Sequence, residues 1–300
     1  MTSTASTTVP LPAREGSGKP QPHVLTLHCP QAAGIVQAVT VFLYERGCNI
    51  EEHHQFDDAY NDVFHLRTSF TADDEIAVAA LEREFQEVAD RFGMEFAFHA
   101  PRRTRILVMV SKAAHCLNDL LFRWRGGTLG GDIVAVVSNH EDLRSMAEAT
   151  GLPYHVVPVT NDTKPEAEDR LRELIEEYDA DLVVLARYMQ VLSDELAQEL
   201  FGRAINIHHS FLPGFKGGRP YQQAYERGVK LIGATAHYVT ADLDEGPIIE
   251  QEILRVNHAA DPRTLATLGQ DAEALALSRA VRWHCEHRIL IRGRRTVVFT

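Results

Sequence analysis

The feature that most constrains the fold is a regular alternation of apolar and amphipathic segments between residues 105 and 208. Short, apolar, β-prone segments predict strands, and the longer segments between them have the periodicity of helices. The predicted strands span residues 105–110, 132–137, 154–158, 181–186 and 204–208, and the predicted helices span residues 115–124, 141–150, 163–178 and 193–200. Alternating strands and helices form a parallel, doubly wound α/β sheet, which binds ligands beyond the carboxyl ends of its strands.

The alternation ends after Gly228. Two β-prone segments follow at residues 232–239 and 248–256, without a full helix between them. We therefore expect these strands to extend the sheet in an antiparallel sense. A helix over residues 270–287 and a hairpin formed by residues 289–291 and 296–299 complete this part of the chain.

A separate pattern occupies residues 23–99. Its elements follow the order strand, helix, strand, strand, helix, strand, which is typical of the ferredoxin-like βαββαβ fold. The strands are predicted at residues 24–29, 49–57, 63–70 and 94–99, and the helices at residues 34–44 and 75–92.

The length of 300 residues suits two domains better than one. We assign residues 23–99 to the first domain, residues 100–104 to a linker and residues 105–300 to the second domain. Residues 1–22 are rich in Ser, Thr and Pro and lack a hydrophobic segment. We expect a disordered tail there, and not a secretory signal.

Charge and cysteine content narrow the class of protein. The net charge of −12 argues against a nucleic-acid-binding protein. The four cysteines are widely separated, which indicates reduced thiols and neither a zinc ribbon nor a disulfide framework. No apolar segment approaches the length of a membrane span, so we expect a cytoplasmic protein.

Three polar side chains at the ends of predicted strands form a candidate catalytic site. Asn206 and His208 are two residues apart on one strand, so they project from the same face. Asp244 lies in an acidic turn after the next strand. An amide can donate to a developing oxyanion, an imidazole can transfer a proton, and a carboxylate can orient the imidazole or a water. This set predicts attack on a carbonyl group.

The residues around this site carry a resemblance to a known family. Four features of this region resemble the active-site signature of folate-dependent formyl-transfer enzymes: Asn206-Ile-His208, Leu212-Pro213, Phe215-Lys216-Gly217, and His237 seven residues before Asp244. The match to the formyltetrahydrofolate deformylase family is almost word for word, and it extends over residues 208–210, 224–228, 233–238 and 244–251. Glycinamide ribonucleotide formyltransferases resemble this region more loosely, and they typically have Pro at the position of His209.

The resemblance implies hydrolysis of a linear amide C–N bond, converting 10-formyltetrahydrofolate to formate and tetrahydrofolate. Such an activity supplies formate for purine biosynthesis and balances the one-carbon pool. Asp244, directly or through His208, would position and deprotonate a water, while Asn206 and protonated His208 would stabilise the oxyanion. The folate is the substrate, so no cofactor is implied. Two loops and one histidine are implied to bind the folate: Met189, Gln190, Val191, Leu192, His237, Thr240, Ala241 and Leu243.

The first domain resembles an ACT domain, a module that binds small effectors. Cys29-Pro30, Gly34-Ile-Val and Gly47-Cys-Asn49-Ile50 carry this resemblance. It implies an amino-acid effector, glycine or methionine, and a homo-oligomer. The implied ligand site comprises Gln31, Gly34 and Ile35, with Asn49 opposite them. Gln31 replaces the Asp of many such domains, which weakens the expected contact to an amino group.

Two alternative functions remain open. One is formyl transfer to an amine such as glycinamide ribonucleotide, although the sequence from Ser111 to Cys116 does not resemble the Gly/Ser/Asn-rich phosphate loop of those enzymes. The other is a non-catalytic amino-acid sensor, against which the intact Asn206, His208 and Asp244 argue. A metal is not expected, because HExxH and a Cys/His tetrad are both absent from the sequence.

Overall fold

The computed structural model describes residues 21–72, 76–160, 162–212 and 220–300. The strands are β1 (His23–Pro30), β2 (Cys48–Asp58), β3 (Val63–Ala72), β4 (Glu95–His99), β5 (Thr104–Val110), β6 (Gly131–Ser138), β7 (Tyr154–Val156), β8 (Leu182–Leu185), β9 (Ala204–His208), β10 (Leu231–Tyr238), β11 (Ile248–Arg255), β12 (Ile289–Arg292) and β13 (Arg295–Val298). The helices are α1 (Ile35–Glu45), α2 (Val78–Phe92), α3 (His115–Arg125), α4 (Arg144–Glu148), α5 (Lys164–Glu177), α6 (Asp194–Glu199), α7 (Pro220–Glu226) and α8 (Pro262–Cys285). The predicted tail, apart from residues 21 and 22, and the motif residues 213–219 lie outside the described residues.

The first four strands form an antiparallel sheet in the order β2-β3-β1-β4. This order and its two helices confirm the ferredoxin-like prediction. One face of the sheet packs against α1 and α2 through a core rich in phenylalanine, in which Phe85 contacts Phe42, Phe96 and Phe98 edge to face. Such ring pairs add about 0.5–1.5 kcal/mol each beyond the area that they bury.

The second sheet has seven strands in the order β11-β10-β9-β8-β5-β6-β7. Strands β5 to β9 are parallel, and β10 and β11 are antiparallel, as the sequence predicts. The connection from β7 returns to β8 beside β5, so the strand order reverses between β5 and β8. In doubly wound sheets, ligands bind at the carboxyl ends of strands on either side of this reversal.

The two sheets meet through the second face of the four-stranded sheet. Arg67 is buried in β3, and it donates to the carbonyl oxygen of Glu286 over 2.8 Å and to Glu52 Oε2 over 3.0 Å. The rings of His99 and His287 stack with centroids 3.7 Å apart. Because an unpaired buried guanidinium is costly, the contacts of Arg67 fix β3 to the chain just after α8.

Buried histidines at this junction predict a loss of stability in acid. Burial lowers the pKa of His99 and His284 to about 4 and that of His287 to about 3. Below pH ~6.5 the unfolded chain binds protons at these histidines, whereas the folded chain does not until the pH approaches 4. Protonation therefore stabilises the unfolded chain, and the free energy of unfolding decreases as the pH falls from ~6.5 toward 4.

We therefore expect the free energy of unfolding to decrease as the pH is lowered from 7.5 to 5.5, by up to about 1.4 kcal/mol per group per pH unit below ~6.5. The melting temperature should fall with it. Thermal unfolding at a series of pH values measures this slope. His287→Asn should make the slope shallower, whereas His258→Asn, at an exposed site, should leave it unchanged. An unchanged slope in His287→Asn would contradict the assignment.

The largest differences from the sequence prediction concern two helices. Helix α8 begins at Pro262 and not at residue 270. Asp261 caps it by accepting a hydrogen bond from the Thr264 amide over 2.7 Å, and proline at the first helical position needs no donor. Helix α7 was not predicted from the sequence, and it packs against α8.

Candidate active site

The candidate catalytic residues lie on β9 and in the turn that follows β10 in the seven-stranded sheet. Asn206 pairs with Leu185 at the carboxyl end of β8 and with His237 on β10. Strand β9 forms because Ala204, Ile205 and Ile207 are buried apolar residues, and its alternation places Asn206 and His208 on the same face. The predicted adjacency of Asn206 and His208 is therefore present.

Asp244 reaches this edge from a strained turn. Its backbone has φ +58°, which is uncommon for a residue other than glycine but better tolerated by Asp than by most. The turn is closed by the Glu245 amide, which donates to the Asp242 carbonyl over 3.2 Å. The Asp244 Oδ2 atom lies 3.2 Å from His208 Nδ1, and its Oδ1 atom lies 3.7 Å from His237 Nε2.

The local environment keeps Asp244 ionised. Burial alone favours the neutral acid, but the hydrogen bond from His208 holds the pKa of Asp244 well below its usual range. A carboxylate with so low an affinity for protons is a weak base. Asp244 is therefore better suited to orient an imidazole than to take a proton itself.

His237 and Asn206 form a second hydrogen-bonded pair. His237 Nδ1 lies 2.9 Å from the Tyr238 carbonyl oxygen, so this nitrogen carries the proton in the neutral tautomer that we assign. The other ring nitrogen then accepts from Asn206 Nδ2 over 3.2 Å. The second Nδ2 hydrogen of Asn206 remains available as a donor to a ligand.

These side chains form the floor of a cavity of about 260 Å³. Two loops form its walls, one following β8 and the other following β10. Every residue predicted to act in catalysis or to bind the folate lines this cavity: Asn206, His208, Asp244, Met189, Gln190, Val191, Leu192, His237, Thr240, Ala241 and Leu243. Met189, Val191 and Leu243 lie at its rim, and each of these residues is more than half exposed. A cavity with an apolar rim and a polar floor suits a flat ring system that carries one reactive polar group.

The loop after β8 is fixed near both ends by residues that sequence reasoning missed. Ser111 Oγ accepts from the Met189 amide over 3.0 Å and donates to Asn139 Oδ1 over 2.7 Å. At the far end, the Ser193 amide donates to Glu168 Oε1 over 2.7 Å. These contacts hold the loop in place before a ligand binds, which reduces the entropic cost of binding.

Two further residues line the cavity beside His208. Arg187 has φ +64° and a side chain that is 17% exposed, and its guanidinium contacts the buried Glu273. The His209 ring packs edge to face against that of His208, with centroids 4.8 Å apart. Burial, followed by the nearby Arg187 charge, lowers the pKa of His209 to about 4, so this ring is neutral at working pH.

The predicted effector residues are not brought together within one chain. Gln31 Nε2 donates to Asp57 Oδ2 over 3.1 Å, and Gly34 and Ile35 begin α1 nearby. Asn49 lies at the opposite end of β2 from Asp57, a separation of about 26 Å at ~3.3 Å per residue. Asn49 was therefore wrongly predicted to lie across from Gln31.

Two further features bear on metal and membrane binding. Ligand atoms of His115, Cys116 and Glu273 lie within 4.8 Å of one another. The Glu273 carboxylate in this group already faces a fixed cation, because Arg187 Nε lies 3.3 Å from its Oε2 atom. Among the helices that the structure describes, none is both long and apolar enough to cross a membrane.

Residues 104–281 match the formyl transferase family, which agrees with the doubly wound sheet and with the amide, imidazole and carboxylate at its edge. The fold and the site thus define a formyl transferase-type domain. The chain is 54% identical to a formyltetrahydrofolate deformylase of Corynebacterium sp. (strain P-1), over 92% of this chain and 97% of the relative. It is 39% identical to the deformylase of Escherichia coli (strain K12), over 93% and 98% of the two chains. The chain therefore belongs to the formyltetrahydrofolate deformylase family.

Solved structures agree with this assignment. The crystal structure of a formyltetrahydrofolate deformylase from Burkholderia mallei is 52% identical and superimposes with a TM-score of 0.87, covering 94% of this chain and all of that one. A glycinamide ribonucleotide transformylase from Symbiobacterium toebii is 31% identical with a TM-score of 0.61, covering 66% of this chain and 95% of that one.

Proposed function

We propose that this protein hydrolyses 10-formyltetrahydrofolate to formate and tetrahydrofolate. The observation that carries the proposal is the set of Asn206, His208 and Asp244 on the floor of a cavity whose rim is apolar. The family supports the same activity, which would supply formate for purine biosynthesis and balance the one-carbon pool. The pterin ring would lie between the loop of residues 189–192 and the loop of residues 240–243.

In the proposed mechanism, water attacks the formyl carbon while His208 removes its proton. Asp244 accepts from His208 Nδ1–H, so the imidazole presents the lone pair of Nε2. This Nε2 atom is buried and has no hydrogen-bond partner among the residues that the structure describes. The lowered pKa of Asp244 makes this carboxylate a weak base, which favours the route through His208 over direct deprotonation by Asp244.

Asn206 would stabilise the tetrahedral intermediate. As the oxygen–carbon bond forms, the formyl oxygen becomes an anion, and the free Nδ2 hydrogen of Asn206 can donate to it. The carbon–nitrogen bond then breaks, and His208 returns its proton to the departing folate nitrogen. One water is consumed, and formic acid leaves as formate and a proton.

Hydrolysis requires neither an amine acceptor nor a metal in this proposal. We expect purified protein to release formate from 10-formyltetrahydrofolate in the presence of a chelator and without glycinamide ribonucleotide. A coupled formate assay measures the rate. Strict dependence on an amine, or loss of activity in chelator that zinc restores, would contradict the proposal.

The first domain is proposed to bind an amino-acid effector and to regulate the second. None of the proposed catalytic residues lies in it, and the contacts of Arg67 and His99 join it to the catalytic part of the chain. A ligand there changes activity only if it favours one state of the whole chain, typically by ~1–3 kcal/mol.

Calorimetry of the full chain with glycine and with methionine tests this proposal. We expect Gln31→Ala to weaken binding of the amino acid, because Gln31 lies just before the amino end of α1. Asn49→Ala should not change the affinity of a site formed within one chain. Absence of binding of both amino acids to the unaltered chain would contradict the effector proposal.

A homo-oligomer in the cytoplasm also remains a proposal. Tyr44 and Tyr60 of the first domain are 80% and 93% exposed, and tyrosine is enriched at protein–protein interfaces. Light scattering of the purified protein measures the number of chains per particle.

A further inference from the structure

We propose that a buried charge cluster beside the cavity excludes amine acceptors and thereby leaves water as the nucleophile. The cluster consists of Arg187, Glu273, His115 and Tyr221. This inference rests on the proposed hydrolysis and concerns the selection of its second reactant.

The cluster occupies the place where a doubly wound sheet usually binds a ligand. Arg187 follows β8 and His115 begins α3 after β5, and the strand order reverses between β5 and β8. A crevice normally opens at this point, and the amino end of the following helix can bind an anionic group there. In this protein no anionic ligand is needed there, because the carboxylate of Glu273 projects from α8 into the region and occupies that position.

Glu273 is the common partner of the other three groups in the cluster. Glu273 is 1% exposed, and its Oε1 atom accepts from the Tyr221 hydroxyl over 2.7 Å. Its Oε2 atom lies 2.8 Å from His115 Nε2 and 3.3 Å from Arg187 Nε. Removing water from a carboxylate is tolerated only when such partners compensate it, so the cluster is a fixed part of the structure.

Tyr221 fills the remaining space against α8. A Cβ atom built at Gly269 would lie 2.0 Å from the Tyr221 hydroxyl, so glycine is required for this close approach. The tyrosine thus packs directly on the helix backbone while it bonds to Glu273. A second substrate could enter here only by displacing these side chains.

Arg187 connects the cluster to the reaction. It lines the same cavity as His208, His209 and Asp244. An amine approaching from this side meets both the bulk of the side chain and, when the amine is protonated, the repulsion of the guanidinium charge. Water is small and neutral, and neither effect excludes it.

The test compares how the formyl group is divided between water and an added amine. Arg187→Gly opens the wall and also relieves a left-handed backbone, so it should fold. With 10-formyltetrahydrofolate and glycinamide, we expect the share of N-formylglycinamide relative to formate to rise at least ~10-fold over the unaltered protein, a typical effect of altering one wall of a pocket. Mass spectrometry of both products measures this share.

Two further variants make the result decisive. Arg187→Gly leaves the buried Glu273 carboxylate with fewer partners, which could impair folding. The double variant Arg187→Gly/Glu273→Gln removes this charge as well and so avoids that defect. Asp179→Gly is the matched control, since it relieves a left-handed residue (φ +44°) at an exposed turn, and its product share should equal that of the unaltered protein. Circular dichroism verifies folding of all three.

An unchanged product share in both folded Arg187 variants would overturn the inference, and so would formyl transfer to glycinamide by the unaltered protein at the same level. These outcomes differ from failure of the proposed function, which would appear as absence of formate release by the unaltered protein.

Discussion

Asp244→Asn is expected to lower kcat at least ~10²-fold with little effect on folding. An amide in place of the carboxylate can donate to His208 Nδ1, which would reverse the tautomer and protonate the nitrogen that must accept the proton of the water. His208→Ala and Asn206→Ala are expected to cause losses of at least ~10²-fold, because they remove the base and an oxyanion donor. Steady-state assay of formate release measures each effect.

Asp242→Asn provides the matched control. Asp242 lies in the same acidic turn, but it is exposed, and among the described residues only its backbone carbonyl accepts hydrogen bonds, from Thr240 and from Glu245. Its substitution should leave kcat near that of the unaltered protein. Activity close to normal in any two of the three folded variants Asn206→Ala, His208→Ala and Asp244→Asn would remove the basis for the proposed roles.

Gly246→Ala is expected to reduce kcat by a factor on the order of 10², although Gly246 bears no reactive group. A Cβ atom at this position would lie 1.8 Å from the Tyr238 carbonyl oxygen and 3.3 Å from His237 Nδ1. The turn must therefore move away from β10, and Asp244, two residues earlier, moves with it. A displacement of about 1 Å of a positioned group is sufficient for a loss of this size.

Gly228→Ala serves as the comparison for this prediction. Within the part of the chain that the structure describes, a Cβ there meets no atom within 4 Å apart from its chain neighbours. Its backbone has φ +60°, so the change affects local conformation without a clash. We expect a modest loss of stability and nearly normal turnover. Turnover in Gly246→Ala equal to that in Gly228→Ala would show that the position of the turn does not determine the position of Asp244.

The parts of the fold that the sequence predicted are those with strong local patterns. The apolar strands of the parallel sheet are buried on both faces, so their composition alone distinguishes them from the helices between them. Asn206 and His208 could be placed on one face because strand periodicity is strict. The start of α8 was missed because Gly269 interrupts the helical pattern, and that glycine is present to admit Tyr221.

The parts that could not be predicted depend on contacts between distant segments. Nothing local to Glu273 indicates that it meets Arg187 and His115, since these residues belong to different elements joined only in the folded chain. The same holds for Asn49, whose distance from Gln31 follows from the register of β2 against β3 and of β3 against β1. The signal that could have indicated Arg187 is a charged residue directly after a buried strand.

The central claim is that water attacks the formyl carbon at the site of His208 and Asp244. Single-turnover reaction of the purified protein with 10-formyltetrahydrofolate in ¹⁸O-labelled water, without amine and with chelator, tests it directly. Mass spectrometry should find one solvent oxygen in each formate, formed at a rate that Asp244→Asn lowers in parallel. Formate without solvent oxygen, or labelled formate at an unchanged rate in Asp244→Asn, would contradict the claim.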